Sequence, residues 1–324
     1  MAEHLGLTLS AFEAVTLAAL VAFADAPVDV AVVEVGLLGR YGATNVVDGD
    51  VAVITSIGGD HTDFSDGWRL RIAQEKAGIV KPASTAVLGP LEEELVVPVR
   101  EARPRTLVRY GRDFVCRGDE VAVGGRRVEV VTSRGSEFDL TVPLHGSHQS
   151  VNVAIAVEAV ESLFDSRLAP NVVDAAMDEV RAPGRIEVIA HQPLVVVDGA
   201  HNPDAAAALG ETLAESFAVP GRRLGVVAML QGRDPARFLA ALQAAFPLDL
   251  LVAAALDGPR GLDAGEIAHA AEVQGIASIA VPTVDAAVRR VLEGAEEEDL
   301  VVITGSFRVL DVARAQTALA LAER

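Results

Sequence analysis

Carboxylates and imidazoles at the ends of apolar, β-branched segments, and polar side chains one helical turn apart, are the residues of this chain that could do chemistry. Glu34 stands at the end of DVAVVEV, and Asp60 and His61 follow VAVITSIGG. An acid and an imidazole at the ends of neighbouring strands can form part of a divalent-ion site, and Mg2+ prefers oxygen ligands while keeping waters and substrate phosphates in its shell. A carboxylate ending a buried strand is costly unless a cation or hydrogen-bond donors meet it, so a salt bridge or a helix N-terminus would satisfy Glu34 equally. Asp198, His201 and Asn202 close LVVVDGAHNP just ahead of a helix expected from Pro203, a frequent arrangement at a ligand cleft. Gln149 and Asn152 would share a helix face, as an adenine or phosphate contact requires, or would serve as plain polar residues at a helix start. Arg185 follows Pro183-Gly184, from where a guanidinium could reach a phosphate across a cleft. Lys76, in EKAGIVK, reads as a surface lysine by composition.

Parallel strands must position these groups. Residues 29–35 and 51–57 are apolar on both faces, which fits buried parallel strands. In open α/β sheets the ligand crevice lies at the carboxyl ends of such strands, where Glu34, Arg40, Asn45, Asp60 and His61 would gather. Lys76 would sit on a helix over 68–78. Ser10 and Glu13 have capping-box spacing, and AFEAVTLAALVAF behind them predicts an apolar helix over 8–24 packed on the sheet. A strand at 84–88 and a helix at 91–102 follow. Residues 107–142 then change to short alternating strands, with Gly124-Gly125 as a tight turn. A helix over 148–163 would carry Asn152 in its first turns. Ala182-Pro183-Gly184 interrupts regular structure and marks a boundary, giving domains 1–182 and 183–324. After it, strands at 185–190, 194–197, 224–229, 248–254, 278–281 and 300–304 alternate with helices, which implies a second parallel sheet of βα units. The acidic run 296–299 is expected as a solvated turn.

The chain has 324 residues, 51% of them hydrophobic, long enough for two ordinary domains. A formal net charge of −19 argues against nucleic acid or an anionic membrane surface as the main partner. The single Cys116 rules out an internal disulfide framework and fits a reducing cytoplasm. No apolar stretch is long enough to span a bilayer, and the expected location is cytoplasmic.

Six ordered segments, EVGLLGRYGATN, IGGDHTDF, EKAGIVKP, HGSHQSVN, APGRIEVI and VVVDGAHNPDAAAAL, resemble the folylpolyglutamate synthase and dihydrofolate synthase branch of the Mur ligase family. The resemblance implies an α/β fold: an N-terminally truncated Mur-ligase-type central ATPase domain over 1–182 and a C-terminal Rossmann-like domain over 183–324. It implies ATP and Mg2+ as cofactors, with Glu34 and His61 as magnesium ligands. It also implies that Lys76 is carbamylated, supplying a carboxylate-like ligand to a second magnesium. Gln149, Asn152, Arg185 and Asp198 would lie at ATP, and His201 near the reacting phosphate and the incoming glutamate, with Lys76, Asp198 and His201 as the catalytic set. The implied activity is ligation of L-glutamate to a (tetrahydro)folate, or to dihydropteroate, through an acyl phosphate, by a monomer. The chain departs from the family pattern at Leu38 (for glycine), Gly42 (for aspartate), Ser65-Asp66 (for leucine-glycine) and Arg308 (for an aromatic). Its 324 residues hold no Gly-Lys pair, whereas the family carries a GxxxxGK[ST] phosphate loop ahead of the matched region. The expectation is therefore a chain that begins inside the first domain. A non-catalytic or fragmentary relative with weak nucleotide or folate binding is the alternative reading. A dinucleotide-binding protein with two Rossmann-like sheets is a weaker one, unsupported by any strand-linked GxGxxG.

Overall fold

The β-branched runs of the first half condense into a three-stranded parallel sheet. Its strands β1 (Val51–Ile54), β2 (Thr85–Leu88) and β3 (Thr106–Arg109) lie in sequence order. The structure is a computed structural model and describes residues 8–37, 39–59 and 65–322. By compactness the chain divides into one unit of residues 1–115, 131–136 and 154–168 and another of 116–130, 137–153 and 169–324.

In the first unit, β2 is fully buried, and the core gathers Ile54, Ile72, Ala73, Leu88, Leu95, Val96 and Val99 from the sheet and from α2 (Trp68–Lys76) and α3 (Glu93–Glu101). Two sequence expectations fail here. Residues 29–35 form no strand, and Val32 is 92% exposed. A strand exists only through lateral pairing, and among the described residues no strand pairs with the outer side of β1, so β-branched propensity alone leaves this segment irregular. Helix α1 (Ala11–Asp25) forms with the anticipated capping box, Ser10 accepting from the Glu13 amide and Glu13 from the Ser10 amide, yet none of its residues is buried. Phe12, Val15, Leu17 and Val21 are exposed instead of packing on the sheet. Its apolar residues run round the helix rather than along one stripe, so local capping fixes the helix without specifying a buried face.

The second unit holds the small sheet β4 (Val115–Ala122), β5 (Gly125–Val131) and β6 (Glu137–Val142) in that order, with Gly124 at φ 76 in the connection. It also holds the first turns of α4 (Ser147–Phe164), α5 (Pro170–Glu179), and a six-stranded sheet. That sheet comprises β7 (Glu187–His191), β8 (Leu194–Val197), β9 (Arg223–Val227), β10 (Leu250–Ala254), β11 (Ala277–Val281) and β12 (Leu300–Thr304), ordered β11-β10-β9-β12-β8-β7. The predicted strands are all present, but β7 pairs antiparallel with β8 across a bulge, so the sheet is mixed rather than wholly parallel. Helices α6 (Pro203–Ser216), α7 (Pro235–Ala245) and α8 (Ala264–Val273) cover one face, with Val196 and Val302 in that core. Helices α9 (Val284–Glu293) and α10 (Leu310–Ala322) cover the other, with Val195, Val197, Val301 and Ile303. The adjacent parallel strands β8 and β12 thus send their following helices, α6 and α10, to opposite faces. In an open α/β sheet that divergence opens a crevice at the carboxyl ends of the two strands.

The acidic run 296–299 does not lie wholly in solvent. The Asp299 side chain is 3% exposed and accepts the Arg222 amide (2.7 Å), the Arg222 guanidinium (2.7 Å) and the Glu296 amide (2.9 Å). Burial pushes its pKa up, but these donors outweigh burial and hold it below the 3.8 of a free aspartate. A depressed native value stabilises the fold above 3.8 and loses that stabilisation as pH falls through the native value. Asp299→Ala would orphan two backbone amides, at about 1–3 kcal/mol each. Denaturant unfolding at pH 7 is expected to show a loss of about 2–4 kcal/mol, shrinking as pH falls below 3.8.

Candidate functional site

The crevice of the six-stranded sheet is built round Asp198, the first residue after β8. Its Oδ1 accepts the Ala200 amide (2.7 Å) and its Oδ2 the Ile186 amide (2.9 Å). Only 6% of Asp198 is exposed. Burial raises its pKa, opposed by the two backbone donors and by the charges of Arg185 and His201. The carboxylate is therefore a bracket: it joins the strand-end loop carrying His201 to the Pro-Gly turn carrying Arg185. Ile186 is held at φ 50, a left-handed conformation that a β-branched residue adopts only when its surroundings impose it. Glu187 holds the same turn from the other side, accepting the Gly184 amide (2.7 Å) while paired with Arg314 of α10 (2.7 Å).

Arg185 is exposed, with its guanidinium carbon 4.6 Å from the centroid of the Phe307 ring. His201 meets the same ring edge-on at 6.5 Å, and its Nδ1 lies 2.8 Å from the Gly199 carbonyl. Phe307 follows the strand-end residues Gly305 and Ser306, and Ser306 caps the short helical turn Phe307–Val309 by accepting the Arg308 amide. The sequence marks Arg308 as a departure from the family pattern but gives no signal for Phe307 beside it. The aromatic expected at 308 is supplied one position earlier, while Arg308 reaches the Asp257 carbonyl (2.8 Å). Asn202, a candidate with Asp198 and His201, is taken up as the N-cap of α6, accepting the Ala205 amide (2.8 Å).

On α4, the Asn152 amide donates to Gln149 Oε1 (3.1 Å), so the two share a face as their spacing predicts. Gln149 is 7% exposed, whereas Asn152 is open to solvent. His148 beside them has its pKa lowered, first by burial and then by Arg185 and Arg126, which favours a neutral imidazole at pH 7. Within this unit the exposed Arg185 thus lies in electrostatic range of both Asp198 and His148, and Asp198 in range of His201.

The magnesium set fares differently. Glu34 is exposed and ends no strand, because the strand expected to carry it lacks a partner. His61 and Asp60 lie outside the described residues. Lys76 is the half-buried last residue of α2. Arg40 and Asn45 are held beside the end of α2 by hydrogen bonds to backbone carbonyls. The Arg40 amide and guanidinium donate to the carbonyls of Glu75 (3.0 Å) and Gln74 (3.1 Å), and Asn45 donates to those of Arg40 (2.8 Å) and Gly78 (3.2 Å). Arg40 satisfies orphan carbonyls at the end of α2, and Asn45 joins Arg40 to the short turn that follows the helix, so residues 39–45 are tied to the segment bearing Lys76. Among the described residues no three His, Cys, Asp or Glu side chains converge as a metal site.

The Mur ligase middle domain matches residues 5–160, and the domain described as Mur ligase, glutamate ligase domain matches 184–307. The chain is 39% identical over 279 residues to a dihydrofolate synthase/folylpolyglutamate synthase of Mycobacterium tuberculosis, covering 82% of this chain and 57% of that protein. It is 33% identical over 306 residues to the Escherichia coli protein of the same description, covering 94% and 68%. The folylpolyglutamate synthase of Mycobacterium tuberculosis complexed with ADP and AMPPCP superposes with a TM-score of 0.88 at 35% identity, covering 98% of this chain and 74% of that one. The chain therefore spans little more than half the length of the first of these relatives and about two thirds of the second. Matched in order by both family domains, it belongs to the Mur ligase family, in the folylpolyglutamate synthase/dihydrofolate synthase branch.

Proposed function

We propose that the chain carries the middle and glutamate-ligase parts of an ATP-dependent ligase that joins L-glutamate to a (tetrahydro)folate or to dihydropteroate. The observation that carries this reading is the Asp198 bracket, which fixes Arg185 and His201 around Phe307 at the strand-end crevice. Relatives support the ligands: one structure of the branch holds DHPP and ADP, and another Mn, AMPPNP and L-glutamate. In the reaction, a carboxylate oxygen of the pterin substrate takes the γ-phosphoryl group of ATP, releasing ADP. The glutamate amine then attacks the acyl carbon, phosphate leaves, and the amine's proton goes to a base.

In this reading Arg185 meets the phosphates by charge-assisted hydrogen bonds, with Asn152, Gln149 and Asp198 on the nucleotide side and Asp198 holding the arginine's turn. His201 faces the reacting phosphate and the amine. Lys76, with Glu34 and His61, is assigned to the metal side by resemblance alone, and a divalent ion there would neutralise charge on the transferring phosphoryl. The parts of the ligase divide at residues 182 and 183.

Calorimetric titration of the chain with ADP and a divalent ion tests the nucleotide assignment. Arg185→Ala is expected to weaken binding by about 10- to 100-fold, the range for a hydrogen bond to a charged group. Mass analysis of a folate incubated with the chain, ATP, the ion and L-glutamate reads ligation as one added glutamyl residue. A wild-type chain that neither binds ADP nor forms a glutamyl product would overturn the proposal.

A further inference from the structure

Arg126 is the most deeply buried cation of the second unit, 2% exposed. It lies on β5, and each of its guanidinium nitrogens is engaged: Nε donates to Asp119 Oδ1 (2.5 Å), and Nη1 and Nη2 donate to the two oxygens of Glu215 (2.8 and 3.2 Å). Asp119, on β4, uses the same Oδ1 to accept the Ser150 hydroxyl (2.8 Å). Ser150 is buried in the first turn of α4, next to Gln149 and two residues before Asn152. Glu215 stands near the carboxyl end of α6, whose amino end follows His201 and Asn202. Beside this ion triad, the His145 ring packs on Phe217 (4.9 Å), and Thr212 lies against Gly146.

Burying an arginine is unfavourable unless its donors are all met, and breaking such a pair leaves an uncompensated charge. Two carboxylates from opposite sides of the Pro-Gly turn in sequence compensate the charge here, with one bond to each guanidinium nitrogen. A planar, five-donor guanidinium can join two carboxylates in fixed directions, which an ammonium on a flexible stem cannot. We propose that Arg126 is a positioning residue for the nucleotide half-site, locking the first turn of α4, with Gln149 and Asn152, onto α6. The functional part of this inference rests on the nucleotide reading above, and the positioning part does not. A rod of α6's length turns a displaced carboxyl end into a displaced amino end, where His201 lies.

Single substitutions separate the two arms. In Asp119→Asn, the side-chain amide resonances of Gln149 and Asn152 in 15N NMR should shift and hydrogen exchange in the first turn of α4 should accelerate, with the carboxyl end of α6 unchanged. In Glu215→Gln, the end of α6 should loosen while Gln149 and Asn152 keep their resonances. Arg126→Met should show both effects and weaken ADP by about 10- to 100-fold, the range for misplaced contact groups; Arg126→Lys should fall between Met and wild type. A folded Arg126→Met protein with wild-type Gln149 and Asn152 resonances and ADP affinity within twofold overturns the proposal. If Arg126→Met does not fold, unchanged resonances in Asp119→Asn do the same. Absence of ADP binding by the wild-type chain removes the nucleotide reading, while the amide resonances still judge the positioning.

Discussion

Asp198→Ala is expected to cost about 2–4 kcal/mol of stability, since two buried backbone amides would each lose their acceptor at about 1–3 kcal/mol. Both carboxylate oxygens are engaged, one by Ala200 and one by Ile186, and the crevice offers the amides no other acceptor in the side chain that remains. The functional loss should exceed the stability loss. Without the bracket, Ile186 need not hold φ 50, and the turn presenting Arg185 can relax away from Phe307. A displacement of about 1 Å is enough to cost on the order of 100-fold in a positioned interaction, so ADP binding should fall by about that factor in protein that is still folded. The pH dependence carries a signature. Burial raises the native pKa of Asp198 above 3.8, so the proton-linked part of its contribution is fully present below 3.8 and is lost as pH rises through the raised native value. Unfolding curves of wild type and Asp198→Ala should therefore converge as pH rises through that window. A constant gap would mean that the carboxylate does not titrate as its burial requires.

Gly305→Val should be the most destabilising single change at the crevice. Gly305 adopts φ 103, closed to side-chain-bearing residues, and a Cβ there would lie 2.5 Å from the Ala228 carbonyl oxygen at the end of β9. Its amide donates to the Ala200 carbonyl (3.0 Å), so the backbone cannot rotate away without breaking a bond that ties the ends of β8 and β12. Strain of about 1–3 kcal/mol adds to an overlap with rigid backbone, and a total of about 4 kcal/mol or more places this change among exceptional substitutions. Denaturant unfolding followed by circular dichroism measures it. A loss below about 1 kcal/mol would show that the strand ends have room to move. Because Phe307 follows two residues later, any folded Gly305→Val protein should also lose the Arg185–Phe307 contact, visible as a shift of the Phe307 ring resonances.

The family and the main candidate residues were legible in the sequence because they are carried by short contiguous segments. DGAHNP places an acid and an imidazole at a strand end, HGSHQSVN puts Gln149 and Asn152 on one helix face, and the Pro-Gly turn sets Arg185 beside them in chain order. The strands of the second sheet were equally legible, since runs such as LVVV and LVVIT are apolar on both faces and bounded by turns. Segment 29–35 has the same composition and no strand, and α1 has its cap and no buried face. Composition and capping are local, whereas pairing and burial depend on what stands alongside.

By itself the sequence determined the family, the order of βα units in the second half, and which residue types reach the strand ends, because periodicity and motif spacing are properties of neighbours in the chain. Only the tertiary structure decided the partners of those groups. It made Asp198 a bracket between two loops, gave Arg185 an aromatic floor in Phe307, turned Arg40 into a cap of α2 and Asn45 into a tie to the turn after it, and buried Arg126 between the carboxylates of Glu215, 89 residues away, and Asp119, seven away. The physical reason is that a buried polar group must find donors or acceptors wherever the fold brings them, and no spacing rule along the chain specifies which distant segment that will be.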